Sequence, residues 1–392
     1  MLVRFTFKNH KSFLGEQTLS LEASNDEMMQ HSIEKVSTAL LPQSAGILRS
    51  AAIFGTTASG KTNVLRALDF MKRVVLMSAT KVLIVRQVEP FAFLEGSIDM
   101  DSHYEVEFIE NGIYYRYGFV IRSRRIVREW LFRRTERLTP LFRRDEYGLK
   151  VMGLSKNGAG MIAPSDSTLF LTVAGSLNLE INTAVQDVVS WFSKLTISLA
   201  PKRDDLFVFT QCGEYLPRAL DILRKAECGI EHARLIHDGG YIDIETTHRV
   251  YGSDGDVTGA ATSRMFQDDG MYSDGTRTLT CAVAQVVRAL DEGGTLFIND
   301  FANTLNVFLA SYILSLFNSD AGNPNGAQLV ITGNISALID KAFRRDQIHF
   351  VTRDEDGQSH LVRLSSIPGV RKSDSYEKKL IENAHVNQYK LT

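Results

Sequence analysis

The chain opens on an alternation. In LVRFTFKN (2–9) apolar and polar residues take turns with the two-residue period of a strand. SAAIFG (50–55) is a short apolar run ending in glycine, and TNVLRALDFMKRVVLM (62–77) then returns apolar residues at helical spacing. That pattern predicts strand, loop, helix. Residues 103–121, HYEVEFIENGIYYRYGFVI, hold two alternating stretches around Asn111-Gly112, a strong hairpin-turn dipeptide. Helical spacing marks 167–195 and EYLPRALDILRKAE (214–227), while GYIDIETTHRVYG (240–252) alternates as a strand. Residues 253–274 are rich in Gly, Asp and Ser and are expected to be a loop. A helix is expected from Thr276 to about Leu290, a strand over 295–299, a helix over 304–317 and a strand in QLVITG (328–333). HFVTRDEDGQSHLVRL (349–364) reads as a last hairpin, and neither an internal repeat nor a heptad seam is present.

Composition narrows the class. A chain of 392 residues is long enough for one large domain or two ordinary ones, with ample apolar content for a core. The net charge of −2 advertises no polyanionic partner through a global field. Cys212, Cys228 and Cys281 stand far apart without a CxxC pair, which argues against a structural zinc or a disulfide framework and fits a reducing cytoplasm. The N-terminus lacks the apolar core of a signal peptide, and the longest apolar run, about Leu305 to Phe317, is too short to span a bilayer. A cytoplasmic protein with no membrane partner is expected.

The clearest chemistry is GTTASGKT (55–62), which satisfies G-x-x-x-x-G-K-[ST] between an expected strand and an expected helix. Gly55 and Gly60 permit the turn that aims successive N–H groups at phosphate oxygens, with Ser59 and Asn63 beside them. The helix N-terminus adds its dipole, Lys61 reaches the outer phosphates, and the Thr62 hydroxyl suits magnesium. A nucleoside triphosphate, ATP or GTP, with Mg2+ is what this spacing implies. A second anion-seeking device lies in MYSDGTRTL (271–279), where Ser273 and Gly275 open a helix. One chain cannot easily bring both devices to one phosphate. In a head-to-tail dimer the S-x-G element of one subunit would close over the P-loop of the other.

These segments resemble the RecF/SMC-like branch of ABC-class ATPases, specifically the RloA-type ATP-binding proteins of bacterial phage-defence and restriction-associated systems. The resemblance runs through FKNHKSF (7–13), the P-loop, VEPFAF (88–93), YEVEFIENGIYYRYGF (104–119), VREWLF (127–132), LFLTVAGSLN (169–178), SDGT (273–276), RRDQIHFV (344–351) and VRKSDSYEK (370–378). It implies an α/β fold in which the ATPase lobe is built from both chain ends, about 1–95 and 266–392, with a β-rich and helical lobe inserted at about 96–265. It also implies nucleotide contact by Lys11, a magnesium-sensing role for Gln87, and signature contacts by Ser273 and Gly275 across a dimer or higher oligomer. A separately encoded effector is the implied partner, since no nuclease constellation is visible in this chain.

Relatives end the strand at 295–299 with Asp-Glu, and this chain has Asn299-Asp300. Thr304-Leu305 sets a register in which Asn299 stands at the Asp position and Asp300 at the Glu position; the alternative makes Asp300 the magnesium ligand and leaves Phe301 at the base position. Either way one carboxylate is missing. Asn306 and Asn334 fall where relatives carry histidines, Asn334 at the γ-phosphate switch, and Thr57 replaces the usual Asn or Gly of the loop. Asn299 brings an oxygen to the metal but no charge. Asp300 is one methylene shorter than Glu, about 1.5 Å of reach, and a base misplaced by about 1 Å can lose on the order of a hundredfold in rate. The expectation is a nucleotide-binding, dimerising ATPase whose hydrolysis is slow, or else a nucleotide-gated scaffold that does not hydrolyse.

Finally, RYGFVIRSRRIVREWLFRRTERLTPLFRR (116–144) is dense in arginine, with Trp130, Phe132 and Phe142 between. Three readings stand: a nucleic-acid footprint as in a RecF-like clamp, outer strands with solvated or paired arginines, and an interface for an acidic protein.

Overall fold

A computed structural model describes residues 1–24, 30–42, 44, 46–225, 229–267, 271–301, 307–333 and 342–368. Asn334, Thr304 to Asn306, Cys228 and the segment 370–378 lie outside the described residues.

The expected P-loop strand and its neighbours form the centre of the chain. Ser50–Gly55, Thr295–Ile298 and Gln328–Thr332 are buried along their whole length, the mark of parallel strands covered on both faces. With Thr196–Ser198, Ile348–Arg353 and Ser359–Arg363 they make a six-stranded sheet. Its order from one edge is Thr196–Ser198, Thr295–Ile298, Gln328–Thr332, Ser50–Gly55, Ile348–Arg353, Ser359–Arg363, with only the last strand antiparallel. The register pairs Ile298 with Ile331 and Thr332 with Ile53, so the carboxyl ends of three strands finish at one level. That level is where an open α/β sheet places its ligands. The fold class is α/β with a P-loop, as the resemblance implied.

The second large sheet is antiparallel and seven-stranded. The alternating N-terminal strand Leu2–Lys8 lies between Gln17–Ser20 and Ser102–Glu110, and the hairpin of Ser102–Glu110 with Ile113–Arg122 turns at Asn111-Gly112. Arg125–Arg134, Leu138–Asp145 and Gly148–Val151 extend it as a meander. The P-loop helix Lys61–Met77 buries Val64, Leu68, Met71 and Val75, a stripe at helical spacing, in a core shared with this sheet. Among the described residues no helix is long and apolar enough to cross a membrane.

The arginine-rich stretch is surface of this sheet. Arg116 donates to Glu105 at 2.8 Å, and Arg122 and Arg128 both pair with Asp101. Arg134 and Arg143 lie over the rings of Tyr114 and Phe132, while Phe142 is buried and Arg144 binds the Thr168 and Ser165 carbonyls. Arg124 and Arg125 remain at an exposed turn.

One expectation is overturned. Residues 253–274 are not all loop: Val257–Arg264 is a strand that pairs antiparallel with Tyr241–Tyr251, itself paired with His232–Asp238. Glycine and small polar residues hid it, and its conformation comes from the seven ladder partners on its neighbour rather than from its own propensity.

Gln328 ties the two sheets together. Fully buried, it accepts from Leu2 N–H and the Thr295 hydroxyl and donates to the Leu2 and Leu48 carbonyls. Gln328→Leu keeps the volume but strands buried backbone groups, and should cost about 2–4 kcal/mol in urea unfolding. A loss below about 0.5 kcal/mol would mean that these bonds do not join the sheets.

Candidate functional site

The P-loop leaves its strand at Gly55 and enters its helix at Gly60. A Cβ on Gly55 would lie 2.4 Å from the Val351 carbonyl oxygen. On Gly60, whose φ is 115°, it would lie 2.5 Å from Ser359 Oγ and 2.8 Å from Ser12 Oγ. Both positions therefore require glycine. Two distant segments clamp the loop from outside. Asn63 donates to Ser12 Oγ at 2.9 Å, and Ser359 donates to the Ser59 carbonyl at 2.6 Å.

The loop encloses a cavity of about 310 Å³ lined by Thr57, Ala58, Gly60, Lys61, Thr62, Asn63 and Asp300. Lys61 is nearly buried and donates to the Gly55 and Thr56 carbonyls, each at 2.8 Å. Burial lowers its pKa, and Asp300 opposes that shift. Ser59 Oγ is buried with no partner. An ammonium held only by loop carbonyls and an unpaired hydroxyl beneath the turn suit an anionic phosphate chain.

Asn299 and Asp300 diverge in role at the end of their strand. The Asn299 amide oxygen accepts from Thr62 Oγ1 at 3.0 Å and from Thr332 Oγ1 at 2.9 Å. Thr332 Oγ1 in turn accepts from the Asp300 N–H at 3.0 Å. Asp300 adopts a left-handed φ of 48°, which turns it out of the strand line and to the cavity wall. Phe301 is fully buried and cannot face a water. Asn299 thus stands beside Thr62, and Asp300 lines the cavity. Oxygen donors from Thr62, Asn299 and Asp300 fit a hard cation such as Mg2+, with one anionic group among them.

The other expected site residues lie at different distances from this centre. Lys11 forms an ion pair with Glu89 and lines an adjoining recess with Ser12, Arg66, Phe93 and Arg353, which shares Ala58 and Asn63 with the P-loop cavity. Gln87 is exposed and accepts from Arg73 instead. Ser273 caps the helix Asp274–Glu292, its Oγ accepting from Thr276 N at 3.2 Å. Ser273 and Gly275 are exposed and neither lines the P-loop cavity of its own chain. Sequence reasoning missed Thr332, Ser12 and Ser359. Thr332 ends an expected strand, but no local pattern marks any of the three as site residues.

The family described as "AAA domain, putative AbiEii toxin, Type IV TA system" matches residues 50–332. Among solved structures, the SMC head domain from Thermotoga maritima aligns at 15% identity with a TM-score of 0.38, covering 92% of this chain and 98% of that one. An SmcHead bound to the C-winged helix domain of ScpA aligns at 14% identity and a TM-score of 0.44, covering 92% and 96%. No curated protein matches.

Asn299→Asp would add the missing negative charge beside Thr62. Magnesium affinity of the nucleotide complex should rise about tenfold, because ligand charge count sets affinity at oxygen sites. A magnesium titration of nucleotide binding measures this; an unchanged midpoint would mean that residue 299 does not face the metal.

Proposed function

This chain belongs to the family described as "AAA domain, putative AbiEii toxin, Type IV TA system", which makes it a P-loop ATPase of AAA type, and from that premise we propose the following role. The chain binds ATP with magnesium, closes head to tail over the nucleotide with a second copy, and hydrolyses it slowly. In that form it is the sensor or motor of an antiviral defence complex whose effector is separately encoded. The proposal takes the ATPase core as about 1–95 and 266–392, with the inserted lobe at about 96–265.

One observation carries the reading: among the described residues, the phosphate cradle is lined by a single carboxylate, Asp300. Lys61 and the loop N–H groups bind and orient the phosphates. Magnesium, when bound, neutralises phosphate charge, with Thr62 and Asn299 supplying neutral oxygens to hold it. Asp300, at the cavity wall, is the group available to take a proton from the attacking water. It must do so with a shorter side chain than the usual glutamate and without a second acid to share the metal. The exposed Ser273–Gly275 element, capped but away from its own cavity, supports completion of the site by a second copy. The family's description refers to a toxin of a toxin–antitoxin system, which supports a conflict-system setting.

A second reading has its own support. The neutral Asn299 amide oxygen accepts hydrogen bonds from both Thr62 and Thr332, so it braces the P-loop helix against the strand ends without adding charge. That favours a nucleotide-gated scaffold whose ATP-bound form is a docking platform and whose turnover is nil.

Magnesium-dependent ATP turnover, run beside Asp300→Ala and Lys61→Ala, tests the proposal. Slow turnover is expected, lost on Lys61→Ala and reduced on the order of a hundredfold by Asp300→Ala. Wild-type turnover no higher than that of Lys61→Ala, with ATP still bound, would favour the scaffold; turnover indifferent to Asp300→Ala would remove Asp300 from the chemistry.

A further inference from the structure

Ser273 is exposed, yet the residue before it is not. Tyr272 is buried and sends its hydroxyl to two side chains of the strand Tyr241–Tyr251. Thr246 Oγ1 lies 2.5 Å from that hydroxyl and donates to the Ser263 carbonyl at 3.1 Å. His248 Nε2 bonds the same hydroxyl, and its Nδ1 lies 2.8 Å from the Gly229 carbonyl. A carbonyl only accepts, so Nδ1 carries a proton and in the neutral ring Nε2 accepts; with the Thr246 proton given to the Ser263 carbonyl, the single Tyr272 O–H is shared between Nε2 and Thr246 Oγ1. The imidazole is thereby held at both nitrogens, and the phenol is held by two side chains of one strand.

A second tie lies just past Ser273. Arg277, in the first turn of the helix Asp274–Glu292, donates to the Met265 carbonyl at 2.8 Å and the Gln267 carbonyl at 3.0 Å. Met265 N–H donates in turn to the Ile244 carbonyl at 2.9 Å. Ser273 therefore sits between two attachments to one small sheet. Its own cap to Thr276 fixes it within the helix, whereas these ties fix the helix start relative to the body of the protein. An element that must meet a phosphate held elsewhere gains from such support, because misplacement by about 1 Å is costly.

We propose that Thr246, His248 and Tyr272 are positioning residues for Ser273: they set the angle at which the Ser273–Gly275 element meets nucleotide held by the P-loop of a second copy. This rests on the dimer reading above. The three side chains touch no nucleotide and act only through Ser273.

ATP-dependent association, measured by sedimentation velocity, tests the inference with Ser273→Ala, Tyr272→Phe and Thr246→Val. The last two keep ring or volume and delete only a hydroxyl. All three should weaken association by about tenfold, the scale of one or two buried hydrogen bonds. Mixing Tyr272→Phe with Lys61→Ala should recover association, since one composite site then joins an intact Lys61 to a correctly held Ser273. A merely misfolded Tyr272→Phe chain would not be rescued by mixing, and that result would overturn the inference. So would wild-type association by Tyr272→Phe and Thr246→Val while Ser273→Ala is weakened. If Ser273→Ala itself associates like wild type, the dimer reading fails and the inference falls with it.

Discussion

The Asn299 amide oxygen accepts hydrogen bonds from Thr62 and Thr332, and the nucleotide site is organised around that node. It joins the first turn of the P-loop helix to the ends of two parallel strands. Because Asn is neutral, the node does not repel the Asp300 carboxylate next to it, and its amide nitrogen donates to that carboxylate at 3.2 Å. An aspartate there would need magnesium, or a proton, to be comfortable so close to a second acid. In the proposed magnesium site the same choice leaves one anionic side chain, Asp300, among the described lining residues. A bracing node that adds no charge and a proposed cation site with one anionic group are thus two results of one residue.

Around the node, the rest of the structure supplies rigidity. Ser12 from the N-terminal turn and Ser359 from the last hairpin meet at Gly60, and Gln328 bonds the N-terminal strand to the parallel sheet. Residues from both chain ends thus brace a loop of eight residues. The price is tolerance: neither Gly55 nor Gly60 has room for a methyl group. The lysine, meanwhile, rests on the Gly55 and Thr56 carbonyls, where its charge is only partly satisfied. An incoming phosphate offers it a better partner than those two dipoles.

Much of this was legible in the sequence because the signals are local. The P-loop needs only its own glycines and the flanking strand and helix, and Asn111-Gly112 marks its hairpin alone. Ser273 opens a helix, as its type and place suggested. The strand Val257–Arg264 was not legible, since VTGAATSR has neither bulky alternation nor β-branched density; its ladder partner makes it a strand. Thr332, Ser12 and Ser359 were equally hidden, because they come to the loop from positions far apart in the chain. The arginine stretch was legible in part, since outer strands with paired arginines were one of its readings. Its charges were plain, but Glu105 and Asp101, which hold Arg116, Arg122 and Arg128, lie at or just before a neighbouring strand.

The central claim is that this site, once it has bound ATP, hydrolyses it slowly. The most direct measurement is the fate of labelled ATP bound at one equivalent per chain with magnesium, quenched over time and separated from ADP. The account predicts that the bound nucleotide stays ATP for minutes, against turnover on the order of 10 per second in a typical enzyme. Conversion of bound ATP to ADP within a second would contradict it, and would mean that Asp300 with Asn299 does the full work of the missing acid.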